Sequence, residues 1–206
     1  MEILHWITPV LDFVAAADHN IFLWLNQGVG TFTYIDKIIQ LVISDYLIPV
    51  SFSVTLVGLW FGWRSNEMRD RHQRAVMIAI ASTGLTNLAV AIINQHWFRL
   101  RPFASYQLEL LFYAPTDSSF PSNPAAITFA IATGVWFANR RLALFMYAVS
   151  VVFGISRIYA GVFYPLDVVA GCFLGICVSI LTRYIVKLIE PIPTVFLRIA
   201  RVFCLS

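Results

Sequence analysis

The sequence predicts an all-α fold, a polytopic membrane bundle of five or six transmembrane helices, on three observations. Hydrophobic residues make up 59% of the 206 residues, charged residues only 12%, and the mean hydropathy is +0.77. Soluble domains average about 25% charged residues. Long apolar stretches recur along the chain, and the alternating pattern of a membrane β-barrel is missing. The composition therefore argues against a soluble enzyme, a disordered chain and a disulfide-rich mini-protein.

Five stretches are candidates to cross a hydrocarbon core, which requires about 20 apolar residues in a helix. The third stretch is short, so its crossing depends on extension or tilting by its neighbours. The predicted spans are residues 45–63, 75–97, 124–139, 142–162 and 166–188. Together they predict a transmembrane domain over residues 45–188.

The two ends of the chain differ from this central domain. Residues 1–44 contain short apolar pieces interrupted by Asp12, Asp18 and Asp36, which predicts interfacial or re-entrant helices. In the tail, residues 189–206, two prolines at 191 and 193 are followed by apolar side chains and arginines at helical spacing. This pattern is typical of an amphipathic tail on the membrane surface, and a tail that covers the bundle fits it equally well.

The distribution of basic residues predicts the orientation in the membrane. When the loop before the second span is placed in the cytoplasm, ten of the fourteen basic residues lie on the cytoplasmic side. The exceptions are Lys37, Arg99, Arg101 and Arg157. Three of them are arginines at the non-cytoplasmic ends of predicted spans, so the general charge bias does not explain them.

The same non-cytoplasmic corners carry a Pro-Ser turn before the third span and Asp167 at the start of the fifth. Guanidinium groups bind phosphate oxygens in bidentate fashion, and helix N-termini direct free N–H groups at anions. We therefore predict an oxyanion pocket on this face. Taken singly, each feature also has a structural explanation, because arginines at span ends snorkel to lipid headgroups and aspartates cap helices.

Three segments carry a family resemblance: RLRPF, SSFPSNPAA and GISRIYAGVFYPLDVVAG. They resemble the motifs Lys-x6-Arg-Pro, Pro-Ser-Gly-His and Ser-Arg-x5-His-x3-Asp of the type 2 phosphatidic acid phosphatase superfamily. Their order and flanks are most similar to the undecaprenyl pyrophosphate phosphatases of the bacitracin-resistance type. The resemblance implies a bacterial inner membrane protein in which Arg101, Ser122, Asn123 and Arg157 bind phosphate and Asp167 orients the nucleophile.

The chain departs from this family at its two catalytic histidines. Pro124 stands where the resemblance implies the general acid, and Phe163 stands where it implies the nucleophile. Asn94 occupies the lysine position of the first motif. A phosphoenzyme mechanism requires a nucleophile and a proton donor, and neither proline nor phenylalanine supplies one.

The four histidines of the chain offer few substitutes, because none follows residue 96. His96 is the only one close to a motif, so it is the candidate stand-in for a lost catalytic histidine. An interfacial histidine beside a tryptophan also has an ordinary anchoring explanation. Asp117 and two tyrosines, Tyr159 and Tyr164, are further conceivable proton donors.

Two functions follow from this pattern. In the first, the chain is a pseudophosphatase that binds an anionic lipid headgroup, or serves as a subunit of a membrane complex, without hydrolysis. In this reading Asp167 is free to pair with Arg157 or Arg101. In the second, it is an active lipid phosphatase of the undecaprenyl pyrophosphate or phosphatidate type that uses substitute residues. We expect partners among membrane lipids, such as polyprenyl or glycerolipid phosphates, and membrane proteins, and we expect no nucleic acid, cofactor or metal.

Overall fold

The computed structural model describes residues 2–63, 65–106, 108 and 110–202. These residues form nine α-helices and no strand, which confirms the all-α prediction. The helices are α1 (Glu2–Asn26), α2 (Thr33–Val42), α3 (Leu47–Phe61), α4 (Asn66–His96), α5 (Pro102–Ser105), α6 (Asn123–Trp136), α7 (Arg140–Tyr159), α8 (Pro165–Leu188) and α9 (Ile192–Val202).

Helix α6 lies at the centre of the bundle, where it packs against α4, α7 and α8. Most of its residues are buried, although it is only 14 residues long. Two glycines allow the backbone of α8 to lie directly on it. A Cβ atom on Gly171 or Gly175 would overlap the carbonyl oxygen of Ser122 or Ala126. Larger side chains at these two positions would push α8 away from the start of α6.

Three helices of the described chain, α4, α7 and α8, are each long and apolar enough to cross a membrane. They coincide with the predicted spans 75–97, 142–162 and 166–188. Helices α2 and α3 meet the same criterion only together, as a pair bent by 45°, which would make four. The described part of the chain thus supports a multi-pass membrane protein, and the count of five or six spans stays a prediction.

Two apolar clusters hold the bundle together. The larger joins α3, α4, α6 and α7 around Val135, Met146 and Phe153, which are almost completely buried. The second joins α1 to the connection between α7 and α8, where Phe22 packs with Phe163. Burial of Phe163 fixes this connection, which carries the third motif.

Two of the three aspartates that interrupt the N-terminal apolar pattern make tertiary hydrogen bonds. Asp18 is 2% exposed and accepts from the backbone N–H of Leu166 at 2.8 Å. Asp36 is also buried and accepts from the hydroxyl of Tyr159 at 2.9 Å. These carboxylates therefore tie α1 and α2 to α7 and α8. The predicted division of the chain at residues 44 and 45 stays a prediction.

Helix α9 lies against α4. Its inner side buries Leu197 and Ala200, whereas Val195, Phe196 and Ile199 are about half exposed. The tail therefore covers the bundle and also presents an apolar face outward. Residues 203–206 of the predicted tail lie outside the described residues.

Candidate functional site

A cavity of about 350 Å³ opens at the end of the bundle where the three motifs lie. Its wall includes Arg101 from the first motif, Asn123 and Pro124 from the second, and Arg157 and Phe163 from the third. The remaining lining residues are Asp45, Pro49, Tyr113, Pro115, Asp117, Ile127 and Phe153. Residues distant in sequence are therefore brought to one cavity.

The Arg101 side chain is 5% exposed and held by several acceptors. Its Nη2 donates to the Asp117 carboxylate at 2.8 Å, its Nε to the Asp117 carbonyl at 3.0 Å, and its Nη1 to the Val162 carbonyl at 3.2 Å. The guanidinium carbon lies 4.3 Å from the centre of the Phe163 ring. Burial lowers the pKa of Arg101, and Asp117 opposes that shift. The group remains a cation because a guanidinium has an ordinary pKa above about 12.

The Arg157 side chain is 4% exposed and lies between aromatic rings. Its Nη2 donates to Oδ1 of Asp45 at 2.6 Å, and its guanidinium carbon lies 4.5 Å from the Phe112 ring centre and 4.9 Å from that of Phe153. Its Nε is buried and has no hydrogen-bond partner among the described residues. A buried donor without an acceptor is costly, so Arg157 keeps one unsatisfied donor beside the cavity wall.

Two carboxylates on the cavity wall pair directly with the two arginines. The side chains of Asp45 and Asp117 are 43% and 58% exposed, so water reaches both of them. The charged residues on the wall are these two aspartates and the two arginines, which balance formally. Tyr113 donates its hydroxyl to Asp45 at 3.0 Å. Partial burial and this hydrogen bond raise the pKa of Tyr113, so the phenol stays protonated near neutral pH.

The second motif places its polar groups at the start of α6. Ser122 is 1% exposed, and its hydroxyl has no hydrogen-bond partner in the described part of the chain. It precedes the lining residue Asn123 but is not itself on the wall. Asn123 donates to Oδ1 of Asn87 at 3.0 Å, while its own Oδ1 is unpartnered among those residues. Pro124 is the second residue of α6 and carries no N–H.

Asp167 pairs with neither Arg101 nor Arg157, so that expectation is wrong. Nη1 of Arg99 donates to Oδ1 of Asp167 at 2.5 Å, and the Ser119 hydroxyl hydrogen-bonds to Oδ2. The backbone N–H of Tyr164 donates to the same carboxylate at 3.2 Å. Arg99 lies closer to Asp167 than Arg101 or Arg157 does because the connection before α6 runs past the start of α8. In that connection, the backbone N–H of Ser119 donates to the Arg99 carbonyl.

Arg99 also binds Asp18 at 2.7 Å, which creates a buried triad of Asp18, Arg99 and Asp167. Both carboxylate side chains are 0% exposed, and the arginine side chain is 26% exposed. Burial alone would lower the pKa of Arg99, but hydrogen bonding to Asp18 and the charge of Asp167 outweigh it and raise the pKa. The guanidinium carbon lies 4.1 Å from the Tyr164 ring centre. Arg99 is thus the cation beside Asp167, a place where the resemblance implies an imidazole.

Two further positions of the first motif lie away from the cavity wall. His96 is exposed, and its Nδ1 lies 2.9 Å from the Ile92 carbonyl of its own helix. Asn94 carries a buried Oδ1 without a partner among the described residues. Neither residue lines the cavity, so this arrangement gives no support to His96 as a catalytic substitute.

Neither His19 nor His72 lies on the cavity wall. His19 contacts the Tyr106 hydroxyl through Nδ1 at 2.7 Å and stacks on Tyr164 with ring centres 5.0 Å apart. His72 is buried and stacks on Trp63 near the opposite end of α4. The side chain of His5 lies outside the described residues.

Sequence reasoning missed Asp45 and Ser119, and it placed Arg99 in the oxyanion pocket without its carboxylate partners. Asp45 is the first residue of the predicted span 45–63. This position was the sequence signal that could have placed it at the end of the bundle where the site lies. Arg99 lies two residues before Arg101, and Ser119 lies within the second motif segment. Their pairing with Asp167 had no signal in the sequence, because it depends on how separate helices pack.

No group of three or more histidine, cysteine, aspartate or glutamate side chains that could hold a metal ion is present among the described residues. The expectation that the protein needs no metal stays a prediction.

Known proteins share this architecture. A family model described as the PAP2 superfamily matches residues 75–190, more than half of the chain. Undecaprenyl-diphosphatase BcrC of Bacillus subtilis is 28% identical over 166 residues, which cover 78% of this chain and 80% of that protein. Putative undecaprenyl-diphosphatase YbjG of Escherichia coli is 34% identical over 165 residues, 78% of this chain and 79% of that protein.

A solved structure has the same fold. The crystal structure of the first transmembrane PAP2 type phosphatidylglycerolphosphate phosphatase from Bacillus subtilis superposes with a TM-score of 0.62 at 19% identity. The match covers 87% of this chain and 89% of that structure. The motif segments, the helical bundle around α6 and these matches agree, and the chain belongs to the PAP2 superfamily of membrane phosphatases.

Proposed function

We propose that the cavity binds the phosphate or diphosphate headgroup of a membrane lipid and that the chain does not hydrolyse it by the histidine route of its family. The observation that carries this proposal is the pair of buried arginines on one cavity wall, with the Nε donor of Arg157 unpartnered among the described residues. The names of the similar proteins support a polyprenyl diphosphate as the ligand class.

In this proposal, the lipid phosphate binds by replacing the aspartates that pair with the two arginines. Asp45 and Asp117 are partly exposed, so each carboxylate can turn to water when a phosphate oxygen takes its place beside Arg157 or Arg101. A hydrogen bond to a charged group contributes about 1.5–3 kcal/mol. Several such bonds from two guanidinium groups would more than offset the loss of two partly hydrated ion pairs.

Hydrolysis by the family route lacks its chemical groups. Phe163 presents an aromatic ring to the cavity and is held there by the apolar cluster and by Arg101. Pro124 has neither a lone pair suited to proton transfer nor a proton to give. Without a nucleophile and an acid, the remaining electrostatics hold the headgroup but do not cleave it.

A second candidate is an active phosphatase that uses the cavity carboxylates, favoured by the diphosphatase relatives and by the position of Asp45 on the wall. A carboxylate can attack phosphorus and form an acyl phosphate that water then hydrolyses. In that case Asp45 would be the nucleophile, and the leaving oxygen would take its proton from the Tyr113 hydroxyl, which stays protonated near neutral pH.

The side of the membrane and the place in an assembly also belong to the proposal. The basic loops favour a cavity that faces the non-cytoplasmic side. Retention of the binding groups without the family histidines would also suit a headgroup-sensing subunit of a larger membrane complex. Stoichiometric co-purification of a second membrane protein would support that assignment.

The two candidates are separated by measuring ligand binding and phosphate release on the same purified protein. Undecaprenyl diphosphate and phosphatidate are the probes, and the variant is Arg157→Gln. Arg141→Gln is the matched control, because Arg141 is an exposed arginine at the other end of the bundle. If the protein binds the lipid without releasing phosphate, and binding is lost in Arg157→Gln but not in Arg141→Gln, the result supports the pseudophosphatase. Release that disappears in both Arg157→Gln and Asp45→Asn would establish the second candidate instead.

A further inference from the structure

A second cavity, of about 330 Å³, lies at the end of the bundle opposite the candidate phosphate site. Its charged lining residues are Arg71 and Arg74 from α4, Arg183 and Lys187 from α8, and Glu190 just beyond α8. Four cations thus surround one carboxylate. We propose that this basic cavity binds the phosphate-bearing headgroup of an anionic phospholipid.

The ion pairs of the region leave most of this charge without a counterion. Arg74 binds Glu190 through two hydrogen bonds of 3.1 and 3.0 Å and also donates to Thr194. Among the described residues, the ion pairs include none for Arg71, Arg183 or Lys187. Three basic side chains around one cavity therefore remain available to an anion.

The position of the cavity favours a lipid over a free ion. The apolar part of α4 begins at Ala75, directly after the basic residues, and α8 ends at Leu188. The cavity therefore lies where two candidate membrane spans leave the hydrocarbon core. At a rise of about 1.5 Å per residue, Arg183 stands roughly 24 Å along α8 from Asp167. Basic pockets between spans at this depth suit lipid headgroups.

The wall is also partly apolar, as a lipid requires. Ala75, Ile78 and Val186 line it together with Phe137, whose ring centre lies 4.2 Å from the guanidinium carbon of Arg183. Stacking on the ring holds the guanidinium plane while leaving its edge available to phosphate oxygens. In the same turns of α8, Leu181 and Leu188 are exposed and offer surface for acyl chains.

The test is native mass spectrometry of the full-length protein with phosphatidylglycerol, using phosphatidylcholine as the neutral-headgroup comparison. We expect phosphatidylglycerol to bind preferentially, and the double variant Arg71→Gln with Arg183→Gln to weaken it by about 25-fold, about fivefold for each charge. The matched control is Arg140→Gln with Arg141→Gln, which removes two cations at the same end of the bundle but outside the cavity. Equal weakening in both double variants overturns the proposal.

Two further measurements test the proposal if the double variant folds poorly: the variant Glu190→Gln and competition with inorganic phosphate. Glu190→Gln removes the only carboxylate among the described residues of the cavity wall and releases Arg74, so phosphatidylglycerol binding should strengthen; unchanged or weaker binding contradicts the proposal. Competition with inorganic phosphate is the second measurement. If millimolar phosphate displaces phosphatidylglycerol completely, the cavity is a free-phosphate site and the lipid assignment is wrong. Arg157→Gln, at the other cavity, should leave unchanged the share of phosphatidylglycerol binding that Arg71→Gln with Arg183→Gln removes, whether or not the proposed function holds.

Discussion

Two ionic clusters at the same end of the bundle use the same residue types for opposite purposes. The cavity pairs, Arg101 with Asp117 and Arg157 with Asp45, join buried arginines to carboxylates that are about half exposed. The buried triad places Arg99 between two carboxylates with no exposed surface. A cavity carboxylate can return to water, whereas neither triad carboxylate can do so unless a helix moves. The first arrangement suits ligand exchange, and the second fixes the fold.

The largest effect is expected from breaking the triad. Arg99→Met leaves Asp18 and Asp167 buried without their cation, and removal of one member of a buried ionic group costs about 3–5 kcal/mol. The free energy of unfolding, measured by denaturant titration in detergent micelles, should fall by this amount.

The matched variant is Arg101→Met, two residues away. Its main partner Asp117 can hydrate, so the loss should be smaller, roughly 1–3 kcal/mol, mostly from carbonyl groups left without a donor. A loss for Arg101→Met as large as that for Arg99→Met would show that the two clusters do not differ as described.

A smaller effect, a gain in ligand affinity instead of a loss of stability, is expected when the two cavity aspartates are neutralised. In Asp45→Asn with Asp117→Asn, Arg157 and Arg101 lose their competing carboxylates and present uncompensated charge to a phosphate. Diphosphate affinity should rise about tenfold, a free-energy gain of about 1.4 kcal/mol. Equilibrium binding of a short prenyl diphosphate checks this, with Asp12→Asn, an exposed carboxylate, as control. Unchanged or weaker binding would mean that the carboxylates are part of the ligand site.

Much of the site follows from sequence because each motif residue stands at or near the end of a helix. Arg101, Asn123 and Arg157 meet at one end of the bundle once α4, α6 and α7 pack side by side. Their local chemistry is visible in the sequence. Their phosphate-binding roles remain predictions, since geometry alone does not test them.

The pairing of charges did not follow from sequence. Asp18 looked like an interruption of an apolar segment, yet it is buried against Arg99 and the start of α8. Burial of a carboxylate depends on a partner from another helix, and no local pattern encodes that partner. Helix α6 is shorter than a lone membrane span requires. The surrounding helices bury most of its residues, and no local sequence pattern encodes that burial either.

The smallest effect concerns a partly exposed ion pair, Arg74 with Glu190, at the far end of the molecule. Hydrogen bonding from Arg74, and then from Thr194, lowers the pKa of Glu190 below its ordinary value of 4.5. A carboxylate with a lowered pKa stabilises the fold above that ordinary value, and this contribution is lost as the pH falls through the lowered pKa. The Tm of the wild-type protein should therefore fall slightly more on acidification than that of Glu190→Gln. Parallel pH profiles would indicate that solvent screens the pair completely.

The most direct test of the account is to identify what the protein holds after saturation with a prenyl diphosphate. The protein is incubated with the ligand, separated from excess, and the bound species is determined by mass spectrometry alongside Arg157→Gln. The account predicts an intact diphosphate on the wild-type protein and none on the variant. Recovery of the monophosphate together with released inorganic phosphate would contradict it, as would equal retention by the two proteins.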